Sequence, residues 1–351
     1  MNSIYRLDSC VWEITLACCF QCRYCGSRAG KARENELSTQ ECLDVAGQLA
    51  RLGCRRVSLI GGEVFLRPDW EIILRALTGR GIQTAIITNG YRFSPDLVAR
   101  LRDAGVESVG VSIDGPAEIH DAGRQQGSFR RAMEALDALS AGGIPVSVIT
   151  TLHSKNAPLL EELYGLLREK PIFAWQIQAC SPMGNAALSG IDWRFDSLQV
   201  IRLVDRLRRT APFRVGIADN IGYFTQSEGS LRGGPEGKSW FAGCGAGLRS
   251  IGINSVGNVR GCESMYDERF NEGNLRTKTL AEIWNDPHAF AYNRRFTPDL
   301  LEGECRGCPQ GPFCAAGCRS YNYFTTGSCY HSPLCARRQE QAEKEQQPIL
   351  L

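Results

Sequence analysis

Residues 11–25 read VWEITLACCFQCRYC, and this stretch decides what kind of chain it belongs to. The β-branched and apolar run Val11–Leu16 has the composition of a strand. Directly behind it stands Cys18-x3-Cys22-x2-Cys25. Thiolates this closely spaced hold metal. Three sulfurs leave a four-iron cube with one iron lacking a protein ligand, a position open to a small molecule. The array therefore points to chemistry and not to structure alone.

Outward from this stretch, short β-rich runs alternate with amphipathic helices to about residue 217. The strand candidates are Val11–Leu16, Arg56–Ile60, Gln83–Thr88, Ser108–Ile113, Pro145–Thr151 and Phe173–Gln178. Helix starts are legible between them. Ser38-Thr39-Gln40-Glu41 has the form of a capping box. Ser94-Pro95 places Pro at the first helical position, and Ser128 can cap the helix carrying Met133, Leu136 and Leu139. Six β-α units in order imply an α/β fold with a parallel sheet and right-handed crossovers. Periodicity leaves open whether the sheet closes into part of a barrel. Residues 1–217 form this core, and the Gly-rich stretch containing SEGSLRGGPEGKSW makes 218–243 a linker. Beyond it, Leu248–Ile253 and Asn258–Arg260 read as a hairpin turning near Gly257, and Thr279–Asn285 as a short helix. Residues 244–340 form a cysteine-dense domain with little regular pattern, folded around its metals. Residues 341–351 read as a polar, fraying tail.

The chain has 351 residues, 16 of them Cys, and a formal net charge of +2 from 40 basic and 38 acidic side chains. That balance predicts no nucleic-acid partner. No apolar run approaches the roughly 18 residues that span a bilayer, and MNSIYRLDSC has no signal-peptide core. The expected location is the cytoplasm, with no membrane partner. Clustered thiols in a reducing compartment bind metal or serve redox chemistry. The second cluster is Cys305-x2-Cys308-x5-Cys314-x3-Cys318, with Cys244 and Cys262 before it and Cys329 and Cys335 after it. Cys10, Cys19, Cys42 and Cys54 read as small buried hydrophobes.

Cys-x3-Cys-x2-Cys after a first strand, with Tyr24 before the last Cys, resembles the radical S-adenosylmethionine superfamily. The resemblance implies a partial (β/α)6 TIM-type barrel, a [4Fe–4S] cluster on Cys18, Cys22 and Cys25, and S-adenosylmethionine chelated to the fourth iron. It implies reductive cleavage to a 5′-deoxyadenosyl radical that takes hydrogen from an unactivated position. Gly61-Gly62-Glu63 follows the second strand, where the family carries a motif that contacts the methionine amino group; paired glycines permit close backbone approach and a carboxylate accepts from an ammonium. Asn89, within Thr88-Asn89-Gly90, ends the third strand. Ser112 and Asp114, within Ser112-Ile113-Asp114-Gly115, end the fourth, where relatives place ribose-contacting groups. Arg124 matches an Arg common in this subgroup, and by the resemblance it and Tyr24 are expected beside the cosubstrate. Each motif alone is an ordinary turn or surface residue. Their order, and their place at the C-terminal ends of parallel strands, sets them apart.

The C-terminal array resembles the SPASM domain, which implies two auxiliary [4Fe–4S] clusters and three in all. By that resemblance Cys244, Cys262 and Cys318 hold one, and Cys305, Cys308, Cys314 and Cys335 the other. The residues by themselves also suit a pair of zinc sites. The fourth position of the first cluster stays open at this level: empty, substrate-facing, or filled from elsewhere. Cys329 is the nearest unassigned thiol and competes with Cys335, whose longer gap resembles relatives. Cys180, just past the sixth strand, is a candidate hydrogen donor to a substrate radical or a packed thiol. The resemblance implies an oxidoreductase and peptide maturase whose substrate is a ribosomally made peptide, crosslinked oxidatively. Dehydrogenation or epimerisation of a small molecule such as an aminoglycoside is the alternative, and formylglycine formation on a sulfatase the third. A flavodoxin- or ferredoxin-type protein supplies the electron. Many peptide-modifying relatives carry an N-terminal leader-recognition domain of roughly 80–100 residues. With the motif beginning at Cys18, a separate recognition protein or direct capture of the peptide in the barrel cleft is expected instead.

Overall fold

The computed structural model describes residues 5–232 and 241–346. Seven strands run parallel in chain order: β1 (Ser9–Glu13), β2 (Arg56–Ile60), β3 (Gln83–Thr88), β4 (Ser108–Ser112), β5 (Val146–Leu152), β6 (Ala174–Ala179) and β7 (Arg214–Ile217). On the other side of β1 lies β8 (Ser250–Ile253), also parallel to it. β9 (Asn258–Arg260) and β10 (Gly273–Asn274) follow in antiparallel pairing. The ten-stranded order is β10-β9-β8-β1-β2-β3-β4-β5-β6-β7, an incomplete barrel whose edges are β10 and β7.

Alternation along the strands separates two faces. Register places Trp12 beside Leu59, Leu59 beside Ile86 and Ile86 beside Val109, then Val111 beside Val148 and Val148 beside Trp175. All of these are buried, and the helices Thr39–Arg51, Trp70–Thr78, Ser128–Ala141 and Ser197–Arg208 supply further buried apolar residues of the same core cluster. The opposite face carries Ser58, Ser112, Ser147, Thr151, Gln176 and Gln178 among Ile60, Ile87 and Ile149, all partly or fully exposed. Parallel sheets are ordinarily apolar on both faces. A half-exposed face of mixed polarity therefore marks a trough rather than a core.

Ser38 caps its helix with the full reciprocal box, and Ser94 caps the helix beginning at Pro95. Ser128 does not act as a cap. It lies inside its helix, behind Gly127 at φ +74, and Asp121 takes the Gly127 and Phe129 N–H groups in its place. β7 is a seventh parallel strand where six were expected. Four residues, RVGI, were too short to stand out from the helix before them. Of the stretch expected to be a linker, Glu228–Arg232 forms a helical turn and 233–240 lie outside the described residues. Of the expected tail, residues to Gln346 belong to the helix Ala336–Gln346, and 347–351 lie outside the described residues. Gln339 accepts from Ser197 Oγ at 2.8 Å, and Glu343 pairs with Arg202. Polar contacts between elements, not an apolar stripe, hold this helix. Among the described residues no helix is long and apolar enough to cross a membrane.

Candidate active site

The Cys18–Cys25 loop leaves β1 and is stitched back at both ends. Cys18 N–H donates to Gly30 O at 2.9 Å and Gly30 N–H to Leu16 O at 3.0 Å. Phe20 N–H points at Cys18 Sγ and Ala29 N–H at Cys25 Sγ, each at 3.4 Å, so backbone donors are aimed at sulfur and favour its thiolate. Burial pushes Cys22 up to about 11; Arg124 opposes this, while Cys25 and Cys18 add to it. Cys19, outside the spaced triad, lies beside Cys18, and their mutual hydrogen bond raises the Cys18 thiol. A segment after β6 clamps the loop from outside: Asn185 N–H donates to Cys25 O and its Nδ2 to Cys22 O, both at 2.9 Å. Gly184, at φ +56, approaches so closely that a Cβ would stand 2.3 Å from Gly26 O.

Gly61 and Gly62 bring β2 against the strand-to-loop segment of β1. Cβ atoms on them would lie 2.7 Å from Thr15 O and 2.2 Å from Ala17 O, respectively. Gly62 N–H donates to Thr15 O and Glu63 N–H to Ala17 O. Glu63 is 1% exposed. Its carboxylate accepts from Thr88 Oγ1 at 2.9 Å and from Asn89 N–H at 2.9 Å. Burial pushes it up to about 7 against those donors. A carboxylate has about four acceptor sites, so these donors leave room for a further, cationic one. Asn89 Nδ2 lies 3.9 Å from Cys18 Sγ, so glutamate, asparagine and first thiol form one continuous rim.

Asp114 is fully engaged by the protein. Tyr24 Oη donates to its Oδ2 at 2.6 Å, Arg124 Nε pairs with the same oxygen, and Thr151 N–H donates to Oδ1 at 2.8 Å. His120 Nδ1 accepts the Asp114 N–H at 3.1 Å. Tyr24 and Arg124, expected beside the cosubstrate, thus tie the cysteine loop to β4 and β5 through one buried carboxylate. Ser112 ends β4 half-exposed on the trough face. Cys180 is 2% exposed, packed in a small cluster with Tyr24 and Ala186, and burial pushes its thiol up to about 12.

The distant thiols fall into two sets. Burial raises Cys314, and Cys335, Cys305 and Cys308 raise it further. These four line a single cavity. Burial raises Cys318 and pushes Cys262 up to about 11, with Cys244 the next contributor to both. Among the described residues no three acidic, His or Cys side chains converge tightly enough for one ion. Four thiols lining one cavity form a donor set of the kind that holds an iron–sulfur cube. His120, Thr151, Gly184 and Asn185 were not singled out from sequence, and Thr88 only within Thr88-Asn89-Gly90. Pro182-Met183-Gly184-Asn185, at the C-terminal end of a parallel strand, was the legible hint.

The sequence profile of the radical SAM superfamily matches residues 12–167. That of SPASM, an iron–sulfur cluster-binding domain, matches residues 244–309. The mycofactocin maturase MftC of Mycobacterium ulcerans is 32% identical over 322 residues, covering 90% of this chain and 83% of that protein. The AdoMet-dependent heme synthase of Oleidesulfovibrio alaskensis is 28% identical over 338 residues, covering 92% and 86%. Among solved structures, Streptococcus suis SuiB bound to S-adenosylmethionine superposes with a TM-score of 0.76 at 18% identity, over 94% of this chain and 77% of that one. SuiB bound to precursor peptide SuiA gives 0.74 at 17% identity, over 94% and 76%.

Proposed function

Because the chain belongs to the radical SAM superfamily and carries a SPASM domain, we infer that it abstracts hydrogen from a ribosomally made peptide and links two of its positions oxidatively. When bound, a [4Fe–4S] cluster and S-adenosylmethionine supply the 5′-deoxyadenosyl radical. The protein's part is to hold, orient and shield. Cys18, Cys22 and Cys25 hold the radical cluster. Glu63 accepts the methionine ammonium, with Gly61 and Gly62 keeping the backbone clear. Asn89 and Ser112 flank the cosubstrate, while Tyr24, Asp114 and Arg124 fix the cysteine loop. The auxiliary clusters belong to the two distant thiol sets.

The trough face of the sheet is where the peptide lies. Ser58, Ser112, Ser147, Thr151, Gln176 and Gln178 offer hydroxyl and amide groups suited to peptide bonds. A crosslink removes two hydrogens. The group held by Cys18, Cys22 and Cys25 would supply the acceptor for the hydrogen atom, and clusters on the two distant thiol sets would supply the acceptor for the electron left when the second hydrogen departs as a proton. The observation that carries this reading is the single rim joining Cys18, Asn89 and Glu63 at the strand ends. The similarity to SuiB, solved with a precursor peptide, supports it.

The similarity to a heme synthase over 92% of the chain favours a second reading, oxidation of a small molecule. Mass spectrometry separates the two. The holoenzyme is incubated without oxygen with flavodoxin, S-adenosylmethionine and the peptides encoded by short reading frames beside its gene, with and without any adjacent leader-recognition protein. One peptide is expected to lose the mass of two hydrogens and keep its length. Turnover of a small metabolite, with every such peptide unaltered, would contradict the peptide assignment.

A further inference from the structure

The thiol set of Cys244, Cys262 and Cys318 is one sulfur short of the four that close a cube, and we propose that Cys329 completes it. The proposal rests on the auxiliary-cluster reading above and adds its missing ligand. Cys335 does not compete, because it lines the cavity of Cys305, Cys308 and Cys314.

Cys329 packs on the same apolar cluster, Ala246, Met265 and Phe270, as Cys244 and Cys262. The chain is folded to bring it there. Cys318 is the N-cap of the helix Arg319–Thr326, which ends at Gly327 with φ +79, a left-handed reversal that turns the chain back. The Cys329 carbonyl then accepts from Arg319 Nη1 at 3.0 Å and from Asn322 Nδ2 at 3.3 Å, both on the helix that Cys318 opens. Arg319 Nε donates to Asn293 Oδ1 at 2.7 Å, and Asn293 Nδ2 donates to Cys244 O at 3.2 Å and Ala246 O at 2.7 Å. One buried bridge, Cys329–Arg319–Asn293–Cys244, therefore joins the backbones of the two cysteines.

The bridge also poses a charge problem that a cluster solves. Arg319 is 0% exposed and, among the described residues, pairs with no carboxylate. It meets only carbonyls, an amide and the faces of Phe296 and Tyr330. A buried cation without a counter-charge is strongly unfavourable. Four thiolates on an iron–sulfur cube carry net negative charge and supply that counter-charge. The consequence is functional. A cube with four protein thiolates has no open iron, so this cluster accepts an electron and does not bind substrate.

The test uses the full chain with Cys18, Cys22 and Cys25 replaced by Ala, so that only auxiliary clusters remain. This parent is expected to hold about eight irons and to resist mild ferricyanide oxidation. Adding Cys329→Ala is expected to make one cube labile. It loses one ferrous ion and gives one electron to ferricyanide, passing from [4Fe–4S]2+ to [3Fe–4S]+, with about seven irons left and a new paramagnetic signal. The other cube's unchanged spectrum serves as the fold control. Cys329→Ser, an oxygen ligand, is expected to keep the iron but shift that cube's reduction potential, and it decides the matter if the Ala variant does not fold. Oxidation resistance, iron content and potential unchanged from the parent in both variants would overturn the assignment of Cys329. A parent that holds no cube at all would instead overturn the auxiliary-cluster reading beneath it.

Discussion

Glu63 is held by Thr88 and Asn89 with its carboxylate buried and pushed up to about 7. A charge-assisted contact to an ammonium in such a place contributes about 1.5–3 kcal/mol. Glu63→Gln keeps the shape and loses the charge, so S-adenosylmethionine is expected to bind about 10- to 100-fold more weakly by calorimetry; unchanged affinity would remove Glu63 from the site. His120 makes a second prediction. Burial, with Arg124 adding, pushes it down from 6.5 to about 4. Its folded value lies below its unfolded one, so its contribution is complete above about 6.5 and is lost as pH falls toward about 4. The difference amounts to about 3 kcal/mol. His120→Gln is expected to flatten the slope of denaturant stability across that window, and an unaltered slope would show that the imidazole does not resist protonation. Cys18, Cys22 and Cys25 stand out by residue type and spacing, whereas Gly61, Gly62 and Glu63 were singled out through the family resemblance. The engagement of Asp114 by Tyr24, Arg124 and Thr151 was not legible, since three chain segments must meet before those bonds exist.

At the scale of elements, the C-terminal ends of β1 and β2 lock together through glycine, and Glu63 ties them to the end of β3. A methyl group at Gly62 would collide with backbone at 2.2 Å, where no flexible side chain can give way. Gly62→Ala is expected to cost about 1–3 kcal/mol in thermal unfolding and to lower iron at Cys18, Cys22 and Cys25 while the other thiol sets stay loaded; full iron and an unchanged melt would show that the two segments separate freely. Strands β2 and β3 were readable to the residue, because Gly, Pro or charged residues bound their apolar runs. β7 and the helix Ala336–Gln346 were not, one being too short and the other too polar for periodicity to reveal. The clamp of Gly184 and Asn185 on the cysteine loop was hidden for a related reason. Nothing local to those residues reveals which loop they will meet.

At the scale of the whole molecule, the sheet does not stop where the composition changes. β8 pairs with β1, so the cysteine-dense region extends the barrel's own sheet. The α/β class and the parallel sheet followed from alternating elements, whereas that pairing across more than two hundred residues leaves no local trace. The arrangement sets the rim of Cys18, Asn89 and Glu63, the half-exposed trough and the distant thiols on one scaffold. The central claim is that three thiols and a buried glutamate present S-adenosylmethionine for reductive cleavage. It is tested most directly by incubating the anaerobic holoenzyme with dithionite and S-adenosylmethionine and measuring 5′-deoxyadenosine. The account predicts that it forms with the native chain and disappears when Cys18, Cys22 and Cys25 are all replaced by Ala. Cleavage that persists in the triple variant, or no cleavage by a native chain holding about twelve irons, would contradict it.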